Sequence, residues 1–442
     1  MNSVGKYPAR IIWDVLFFYR GHTISFTLQD QPSLLGHWSE LIMSGPLTGY
    51  RVIELTNMLT GPWATSLLGD QGADVIKIEV PGIGDHTRSV GARRGDLSVN
   101  FLNINRSKRS ITLNLKNNDA TDILKRLATT ADVFIQNFRP GVVERLGISE
   151  SEIRRVSPEI IYLSMSGFGE KGPLSAKPVY DPIIQAISGL TTIQAGSDSA
   201  RPRLVRTILP DKLTAIVASQ AVTAALLARE RNGKGQHIRL SMLDSILNFL
   251  WASDMGGQPY VDEPVGDQEA ASFIDLIYET RDGYMTISTM GDKEWAALAR
   301  AVEQPELLDD SRFKSASLRD HNVDARLELV QSILITRTTQ EWITLFEREE
   351  VPCAPALTRN EVIKHPQIVA SEILIETDHP VAGRLRQTRT PARFEGTPTE
   401  IQRGAPRLGE HNLEILTELG FDETEIDALR ANGAIGNEDY SG

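Results

Sequence analysis

The chain has 442 residues, and its 58 acidic side chains against 46 basic ones give a formal net charge of −12 at pH 7. A hydrophobic content of 41% with 24% charged residues is typical of a folded globular protein and excludes wholesale disorder. The negative charge disfavours nucleic-acid binding, and a single cysteine, Cys353, excludes a disulfide framework and a multi-cysteine metal site. We therefore expect a cytoplasmic protein of more than one domain that binds neither nucleic acid nor a metal.

The first 43 residues show neither a sustained hydrophobic period nor an alternation of strand and helix patterns. They are interpreted as an N-terminal extension without an assignable role. The apolar run from Ile11 to Phe18 is interrupted by Asp14 and lacks a small-residue cleavage site, which is atypical of a signal peptide. The longest uncharged stretch, Leu213 to Ala228, contains polar side chains and is too short for a membrane span. No membrane attachment is expected.

Strand and helix patterns alternate between residues 44 and 255. The predicted strands are Arg51–Thr56, Asp74–Val80, Asp132–Asn137, Ile160–Met165 and His237–Met242. The predicted helices are Trp63–Gly72, Ala120–Thr130, Ser149–Val156, Asp211–Arg231 and one that begins near Asp244. Because strands that alternate with helices form βαβ units, the segment predicts an α/β domain with a parallel sheet.

The pattern changes near Gly256, and a smaller α+β domain is predicted over residues 256–370. The strand patterns Ser272–Thr280 and Tyr284–Thr289 flank Arg281-Asp282-Gly283, which is a hairpin signal. Residues 371–442 are expected to return to the large domain. The further predicted elements are helices at Lys293–Val302, Asn322–Thr336 and Thr339–Glu349, a strand-like alternation at Gly383–Phe394 and a helix at Glu423–Asn432.

A literal G-x-G-x-x-G occupies Gly167 to Gly172, directly after a predicted strand. A dinucleotide-binding loop of this kind opens a helix whose first turn holds the pyrophosphate. Here Pro173 and Pro178 follow, and no acidic residue stands about 20 residues further on, where such a site needs one. A glycine-rich turn is therefore favoured over an NAD site.

Basic side chains concentrate in one part of this acidic chain. Guanidinium groups match phosphate oxygens in pairs, so such a cluster can hold a phosphorylated small molecule. The alternative, which the spacing alone favours, is a solvated basic face. The residues are Arg88, Arg93, Arg94, Arg106, Lys108 and Arg109, with Arg145 as a member that can join them in space.

Two aspartates are predicted at helix starts. Asp211, in T-I-L-P-D-K-L-T-A, heads the long helix, and Asp181, in V-Y-D-P-I-I-Q-A, heads another. An aspartate in this place most often caps the helix by accepting a bond from a free backbone N–H. The same amides would lower the pKa of the carboxyl and keep it ionised as a nucleophile that can attack a thioester. Position alone favours the cap.

A series of motifs favours the nucleophile interpretation of Asp211 over the cap, because these motifs occur together and in order. They are G-P-L-x-G-x-R-V-I-E-L at Gly45–Leu55, L-G-D-x-G-A-D-V-I-K-I-E at Leu68–Glu79, N-F-R-P-G-V-V-E-R-L-G at Asn137–Gly147, S-G-F-G-x-x-G-P at Ser166–Pro173, G-K-G-Q at Gly233–Gln236 and L-G-E-H at Leu408–His411. With these motifs the chain resembles the family III CoA-transferases, also called the CaiB/BaiF family, which include formyl-CoA transferase and carnitine CoA-transferase.

The resemblance implies a Rossmann-like large domain, a small domain and two subunits interlocked as rings. It implies transfer of CoA from an acyl-CoA to a carboxylic acid through an aspartyl mixed anhydride and an aspartyl-CoA thioester. CoA thioesters are then substrates, and no tightly bound cofactor is implied. Asp211 would be the nucleophile and Asp181 an auxiliary residue. The implied CoA contacts are Leu113, Lys116, Asn137, Phe138 and Arg145.

The chain departs from formyl-CoA transferase in two places, so formyl transfer is not expected. Leu59 stands where that enzyme has a glutamine, and the glycine-rich flap is absent from Gly266–Phe273. One alternative is an isomerase of the α-methylacyl-CoA racemase type. It is disfavoured because Tyr180, a weak base at neutral pH, replaces the histidine of that branch. The intact Asp211 argues against the other alternative, a non-catalytic CoA-binding protein.

Overall fold

The computed structural model describes residues 14–19, 22–27, 45–262 and 274–437. An antiparallel hairpin, formed by β1 (Asp14–Tyr19) and β2 (His22–Thr27), lies in the N-terminal segment for which no element was predicted. The segment at Gly266–Phe273, where the resemblance indicated a missing flap, lies outside the described residues.

The large parallel sheet has six strands: β3 (Arg51–Leu55), β4 (Asp74–Glu79), β7 (Lys108–Thr112), β8 (Val133–Gln136), β9 (Ile161–Ser166) and β10 (His237–Ser241). A small ribbon of β5 (Arg93–Arg94) and β6 (Leu97–Ser98) lies apart from it. The spatial order is β10-β9-β8-β3-β4-β7, with every neighbouring pair parallel. The predicted parallel sheet is confirmed, and its order is that of a doubly wound fold.

Helices cover both faces of this sheet, as parallel sheets require. On one face, α1 and α8 share a core that includes Leu68, Ala218 and Val222. The helices of this region are α1 (Thr60–Gly69), α2 (Val99–Ile104), α3 (Asn118–Ala128), α4 (Val142–Arg145), α5 (Glu150–Val156), α6 (Asp181–Ile187), α7 (Leu190–Ile193), α8 (Leu209–Asn232) and α9 (Met242–Trp251).

Within the described ranges, α8 is the one helix that is long and apolar enough to cross a membrane. One stripe of its surface, which includes Ala215, Ala218 and Val222, is fully buried against the sheet and α1. Its opposite face leaves Ile216 and Leu227 about half exposed. A helix that connects two parallel strands of one sheet typically buries one stripe of its surface against that sheet, as this helix does.

A second core lies around a small antiparallel sheet of β11 (Ile277–Glu279), β12 (Tyr284–Ile287) and β13 (Cys353–Pro355). The predicted hairpin is confirmed, but β13 was missed because three residues ending in proline carry no strand period. The surrounding helices are α10 (Asp292–Ala301), α11 (Ala316–His321), α12 (Val323–Leu334) and α13 (Thr339–Arg348). Trp295, Phe313, Trp342 and Phe346 fill the space between them.

The remaining residues form two short helices, a hairpin and two further helices. They are α14 (Arg359–Val362), α15 (Pro366–Ala370), β14 (Leu374–His379), β15 (Gly383–Thr388), α16 (Asn412–Glu418) and α17 (Glu423–Ala431). The predicted strand from Gly383 to Phe394 ends at Thr388, and its partner β14 was missed. Side chains of α16 and α17, among them Ile415 and Leu429, enter the same core as α3.

The C-terminal segment covers the outer edge of β7. The backbone N–H of Ser110 donates to His411 Nδ1 at 3.1 Å, and the His411 N–H donates to the Ser110 carbonyl at 2.9 Å. Asn412 Oδ1 accepts from the Thr112 N–H at 2.8 Å. An uncovered edge strand presents free backbone groups that can pair with another chain. The L-G-E-H motif therefore has a structural role here, as a cover for this edge.

Candidate active site

The candidate site lies at the carboxyl end of the sheet, at the neighbouring strands β3 and β8, where the strand order reverses. The loops after these two strands are joined by one side chain. Asn137 Oδ1 accepts from the Asn57 N–H at 3.1 Å, and Asn137 Nδ2 donates to the Asn57 carbonyl at 2.9 Å. In doubly wound folds, ligands bind in the crevice at this switch point. Asn137, one of the expected CoA contacts, is therefore held at the place that the topology favours.

Asp211 does not cap its own helix, and that prediction is wrong. α8 begins two residues earlier, at Leu209, and no side chain caps it. The Asp211 carboxylate turns instead towards α1, where Oδ1 accepts a hydrogen bond from the Thr60 hydroxyl. The Thr60 backbone N–H also bonds to this carboxylate. The contact joins residues that are 151 positions apart.

The pKa of Asp211 is raised to about 6, which contradicts the expectation of a lowered value. Burial is the largest cause, since it disfavours the charged form. The hydrogen bond from the Thr60 hydroxyl acts in the opposite direction, and the charge of Asp181 raises the pKa further. The carboxyl is consequently ionised at neutral pH, but its neighbours do not offset the free energy that is lost when the charged form is removed from water.

Asp181 begins α6, as predicted, and its side chain is buried. Its Oδ1 accepts from Gln185 Nε2 at 2.6 Å, and its Oδ2 accepts from the Asp211 N–H at 3.3 Å. Burial raises the pKa of Asp181, and the bond from Gln185 opposes that shift. Asp181 therefore fixes the first turn of α8 through its backbone and raises the pKa of the Asp211 carboxyl.

A cleft of about 690 Å³ opens at the carboxyl ends of β8, β9 and β10. A row of hydrogen bonds crosses its floor: Gln136 Nε2 donates to Ser164 Oγ at 3.0 Å, and Ser164 Oγ and His237 Nε2 share a hydrogen bond of 2.9 Å. Phe138, a second expected CoA contact, lies in its wall, as do Phe168 and Gly169 of the G-x-G-x-x-G segment. No helix of the described chain begins between that segment and α6, which confirms the turn interpretation.

The remaining expected CoA contacts lie elsewhere. Leu113 is only 1% exposed and packs in the hydrophobic core, so its side chain is not available to a ligand. Lys116 is exposed in the loop after β7, which β3 and β4 separate from β8. Arg145 is exposed at the last residue of α4. Only a long ligand could touch Lys116 and the Asn137 region together.

Most of the basic cluster is engaged inside the protein and belongs neither to a phosphate site nor to a solvated face. Four of its members are buried in ion pairs: Arg88 with Glu79, Arg106 with Asp70, Arg109 with Asp74 and Lys108 with Glu54. Arg93 and Arg94 are exposed and donate to backbone carbonyls. The hydrogen bonds and ion pairs of these residues, within the described ranges, do not include Arg145. The acidic partners belong to β3, β4 and their flanking turns, where the sequence pattern showed only strands.

A buried ion cluster formed by Glu54, Lys77, Lys108 and Asp85 lies beneath the loop after β3. Their side chains are fully buried. Lys77 Nζ is 2.8 Å from Glu54 Oε1 and 2.9 Å from Asp85 Oδ2, and Lys108 Nζ is 2.8 Å from Glu54 Oε2. Burial alone would raise the pKa of Glu54, but the two ammonium groups outweigh it and lower that pKa to about 2. Sequence reasoning missed this cluster, since its members lie in strands and turns far apart along the chain.

The buried ion cluster fixes the loop that presents Thr60. Lys77 Nζ donates to the Thr56 carbonyl at 3.0 Å, and Lys108 Nζ donates to the Pro62 carbonyl at 2.7 Å. Asp85 Oδ1 accepts from the N–H of Met58 at 3.3 Å. Met58 has a φ of 70°, which is strained for a residue with a side chain. The loop is thus held on both sides of Thr60 by charges that are themselves paired.

The described residues contain no group of three or more histidine, cysteine or acidic side chains that could hold a metal ion.

Comparison with known proteins identifies the family. The model of CoA-transferase family III matches residues 47–412. The human succinyl-CoA:glutarate CoA-transferase is 33% identical over 397 residues, which cover 88% of this chain and 90% of that protein. The acetyl-CoA:oxalate CoA-transferase of Acetobacter aceti is 35% identical and covers 86% of this chain and 97% of that protein.

Solved structures agree with these relatives. A CAIB/BAIF family protein from Brucella suis has a TM-score of 0.75 and 29% identity, and the match covers 85% of this chain and all of that one. A protein from Mycobacterium tuberculosis has a TM-score of 0.74 and 31% identity, covering 84% of this chain and 99% of its own. Both matches extend over the doubly wound sheet and beyond it.

Proposed function

The chain belongs to CoA-transferase family III, and from that premise we propose that it transfers CoA between small carboxylic acids in the cytoplasm with Asp211 as a covalent nucleophile. The observation that carries this proposal is the placement of Asp211. It is a largely buried carboxylate without a cationic partner in the described chain, close to the switch point of the sheet. A carboxylate that is desolvated yet ionised at neutral pH is suited to nucleophilic attack.

The proposed reaction begins when the Asp211 carboxylate attacks the thioester carbonyl of the donor acyl-CoA. CoA leaves as the thiolate, and an acyl-aspartyl anhydride forms. The thiolate then attacks the aspartyl carbonyl, releasing the donor acid and leaving an aspartyl-CoA thioester. An acceptor carboxylate reverses these steps. An anhydride is activated enough for thiol and oxygen to exchange without a metal ion.

Binding of the CoA portion is proposed for the switch-point crevice and the 690 Å³ cleft. Asn137 and Phe138 supply contacts there, with Arg145 and Lys116 as exposed cations for the phosphates. The buried side chain of Leu113 restricts that residue to backbone contacts. A substrate-sized cleft at the carboxyl ends of parallel strands supports this assignment.

Small dicarboxylates are proposed as acceptors, because the relatives named above act on glutarate and oxalate. The racemase-type alternative gains no support from the structure. Tyr180 is exposed where a catalytic histidine would stand. Both oxygens of the Asp181 carboxylate accept hydrogen bonds, one from Gln185 and one from the Asp211 backbone.

The proposed assembly is a dimer of interlocked subunits, each with a large domain from residues 44–255 and 371–442 and a small domain from 256–370. Exposed apolar side chains on two neighbouring helices support it: Ile216 and Leu227 of α8, and Phe249 and Trp251 of α9, are each 47–52% exposed. Apolar area of this kind marks an interaction surface. Sedimentation of a stable, folded monomer at micromolar concentration would contradict the dimer.

One experiment tests the reaction directly. Succinyl-CoA, acetyl-CoA and formyl-CoA are each incubated with glutarate and with oxalate, and the CoA products are identified by mass spectrometry. A parallel incubation with acyl-CoA and hydroxylamine should convert Asp211 to a hydroxamate, which is detected on its peptide. No CoA transfer with any pair, or a hydroxamate on Asp181 instead, would refute the proposal.

A further inference from the structure

Asp211 is held asymmetrically, and its two carboxylate oxygens differ in their surroundings. Oδ1 accepts the hydrogen bond from the Thr60 hydroxyl. Within the described ranges, no side chain donates a hydrogen bond to Oδ2. Thr60 itself is only 6% exposed, so water does not readily replace its hydroxyl. The Thr60 backbone N–H also bonds to the carboxylate. Oδ1 is therefore the oxygen that a hydroxyl restrains, whereas no side chain of the described residues restrains Oδ2.

We propose that Thr60 assigns separate roles to these oxygens: Oδ2 forms and breaks the covalent bonds, and Oδ1 stays in place as the oxyanion that the Thr60 hydroxyl stabilises. The inference rests on the proposed function, because it concerns the order of bonds made by the same nucleophile. Nothing in the sequence motifs points to a role for this hydroxyl.

Each step can be followed atom by atom. Oδ2 attacks the donor thioester carbon, the carbon–sulfur bond breaks and CoA leaves as the thiolate. The thiolate next attacks Cγ of Asp211, and the carbonyl electron pair moves to Oδ1, which accepts from the Thr60 hydroxyl. When that pair returns, the bond between Cγ and Oδ2 breaks, and the donor acid departs with Oδ2.

The acceptor then replaces the lost oxygen. One of its carboxylate oxygens attacks Cγ, negative charge develops again on Oδ1, and the CoA thiolate leaves. The thiolate attacks the acceptor carbonyl carbon, and the acceptor oxygen remains on Asp211 as the new Oδ2. Charge thus appears on Oδ1 twice in every turnover. A prepositioned donor is most effective where charge develops in this way.

The loop geometry explains how Thr60 can hold this position. Lys77 and Lys108 of the buried ion cluster bind the backbone carbonyls of Thr56 and Pro62, on either side of Thr60. A donor fixed in advance costs little reorganisation when charge develops. The same restraint opposes a half-turn of the Asp211 carboxylate, which would exchange its two oxygens.

The test follows the oxygens with an isotope. The enzyme turns over many times with the acyl-CoA from the panel that it uses and an acceptor dicarboxylate labelled with oxygen-18, and the Asp211 peptide is weighed. We expect wild type to gain one heavy oxygen and never two. Thr60→Val, which removes the hydroxyl at nearly constant size, should gain two. Its kcat should fall about 100-fold with a smaller change in KM, the size typical of one lost oxyanion donor.

Thr60→Ser restores the hydroxyl and should restore both the single label and most of kcat, whereas a merely structural role would not affect the label count. Thr60→Ala provides a second hydroxyl-free protein if the valine variant does not fold. Two heavy oxygens in wild type, or an unchanged single label and kcat in both hydroxyl-free variants, would overturn this inference and leave the nucleophile intact. CoA transfer without any label on Asp211 would refute the proposed function and this inference with it.

Discussion

Glu54 is a fully buried carboxylate and Asp211 a partly buried one, both near the loop after β3, and their pKa values shift in opposite directions. Two lysine ammonium groups contact Glu54 and lower its pKa to about 2, although burial acts the other way. Asp211 is partly buried beside a hydroxyl and another carboxylate, and its pKa rises to about 6. Burial alone therefore does not determine the direction in which the pKa of a carboxyl shifts, because the charges and hydrogen-bond donors beside it also contribute.

The two carboxylates consequently serve different ends. Glu54 belongs to a set of paired charges that holds the loop, whereas Asp211 is left without a cation, as its proposed role as a nucleophile requires. A folded protein commonly gives up stability at the site of its chemistry. The following predictions test whether this division between a paired and an unpaired carboxylate is correct.

The largest effect is expected from Asp211→Asn. The amide keeps the size of the side chain but cannot form the anhydride, so CoA transfer should fall by ~10³-fold or more. CoA binding and the circular dichroism spectrum should stay close to those of wild type. Asp122→Asn is the matched control, because Asp122 is an exposed aspartate of α3. Substantial transfer by Asp211→Asn would remove this residue from the mechanism.

The next effect concerns the buried ion cluster. Lys77→Met leaves Glu54 and Asp85 with an uncompensated buried charge, which should lower the free energy of unfolding by about 3–5 kcal/mol. Urea denaturation measures it. The control is Arg281→Met, which breaks an exposed ion pair with Glu341 and should cost at most about 1 kcal/mol. Equal losses in the two variants would show that the cluster is no more important than a surface pair.

A smaller effect links Asp211 to stability through pH. A carboxyl whose folded pKa is raised contributes stability that is fully present below its unfolded pKa and is lost as pH rises through the folded value of about 6. Asp211→Asn has no such loss, so its free energy of unfolding at pH 8 should exceed that of wild type by about 1–3 kcal/mol. At pH 4 the difference should vanish. Calorimetric melting at both pH values checks this, and a destabilised variant at pH 8 would contradict it.

The smallest effect is expected outside the buried charges. Arg145→Ala removes an exposed cation proposed to contact CoA, so the KM for acyl-CoA should rise about tenfold while kcat changes little. Arg106→Ala is the contrasting variant, because Arg106 pairs with buried Asp70. It should lower the melting temperature and leave the KM nearly constant. An unchanged KM in Arg145→Ala would leave this arginine without a role in binding.

Five of the six strands of the sheet were predicted, because local spacing shows strand runs separated by helical patterns. The sixth, β7, was missed because its sequence K-R-S-I-T begins with two charged residues and has no apolar run. The partners of the charged residues were not. Arg88 and Glu79 are near in sequence, but the chain pattern does not show that both turn inward. Thr60 and Asp211 meet only through the packing of α1 against α8. Asp211 lies in the first turn of α8, close to the predicted helix start, whereas its hydrogen-bond partner and the direction of its pKa shift depend on tertiary packing and were not predicted.

The cover on β7 also has a consequence for the order of events on the ribosome. His411, Asn412 and Ala434 complete the hydrogen bonding along Ser110–Asn114, about 300 residues earlier in the chain. During synthesis all six strands of the large sheet are translated well before these residues, so its outer edge stays open to other nascent chains until they emerge from the exit tunnel. Premature termination before Leu408 would therefore yield a chain that aggregates through this edge.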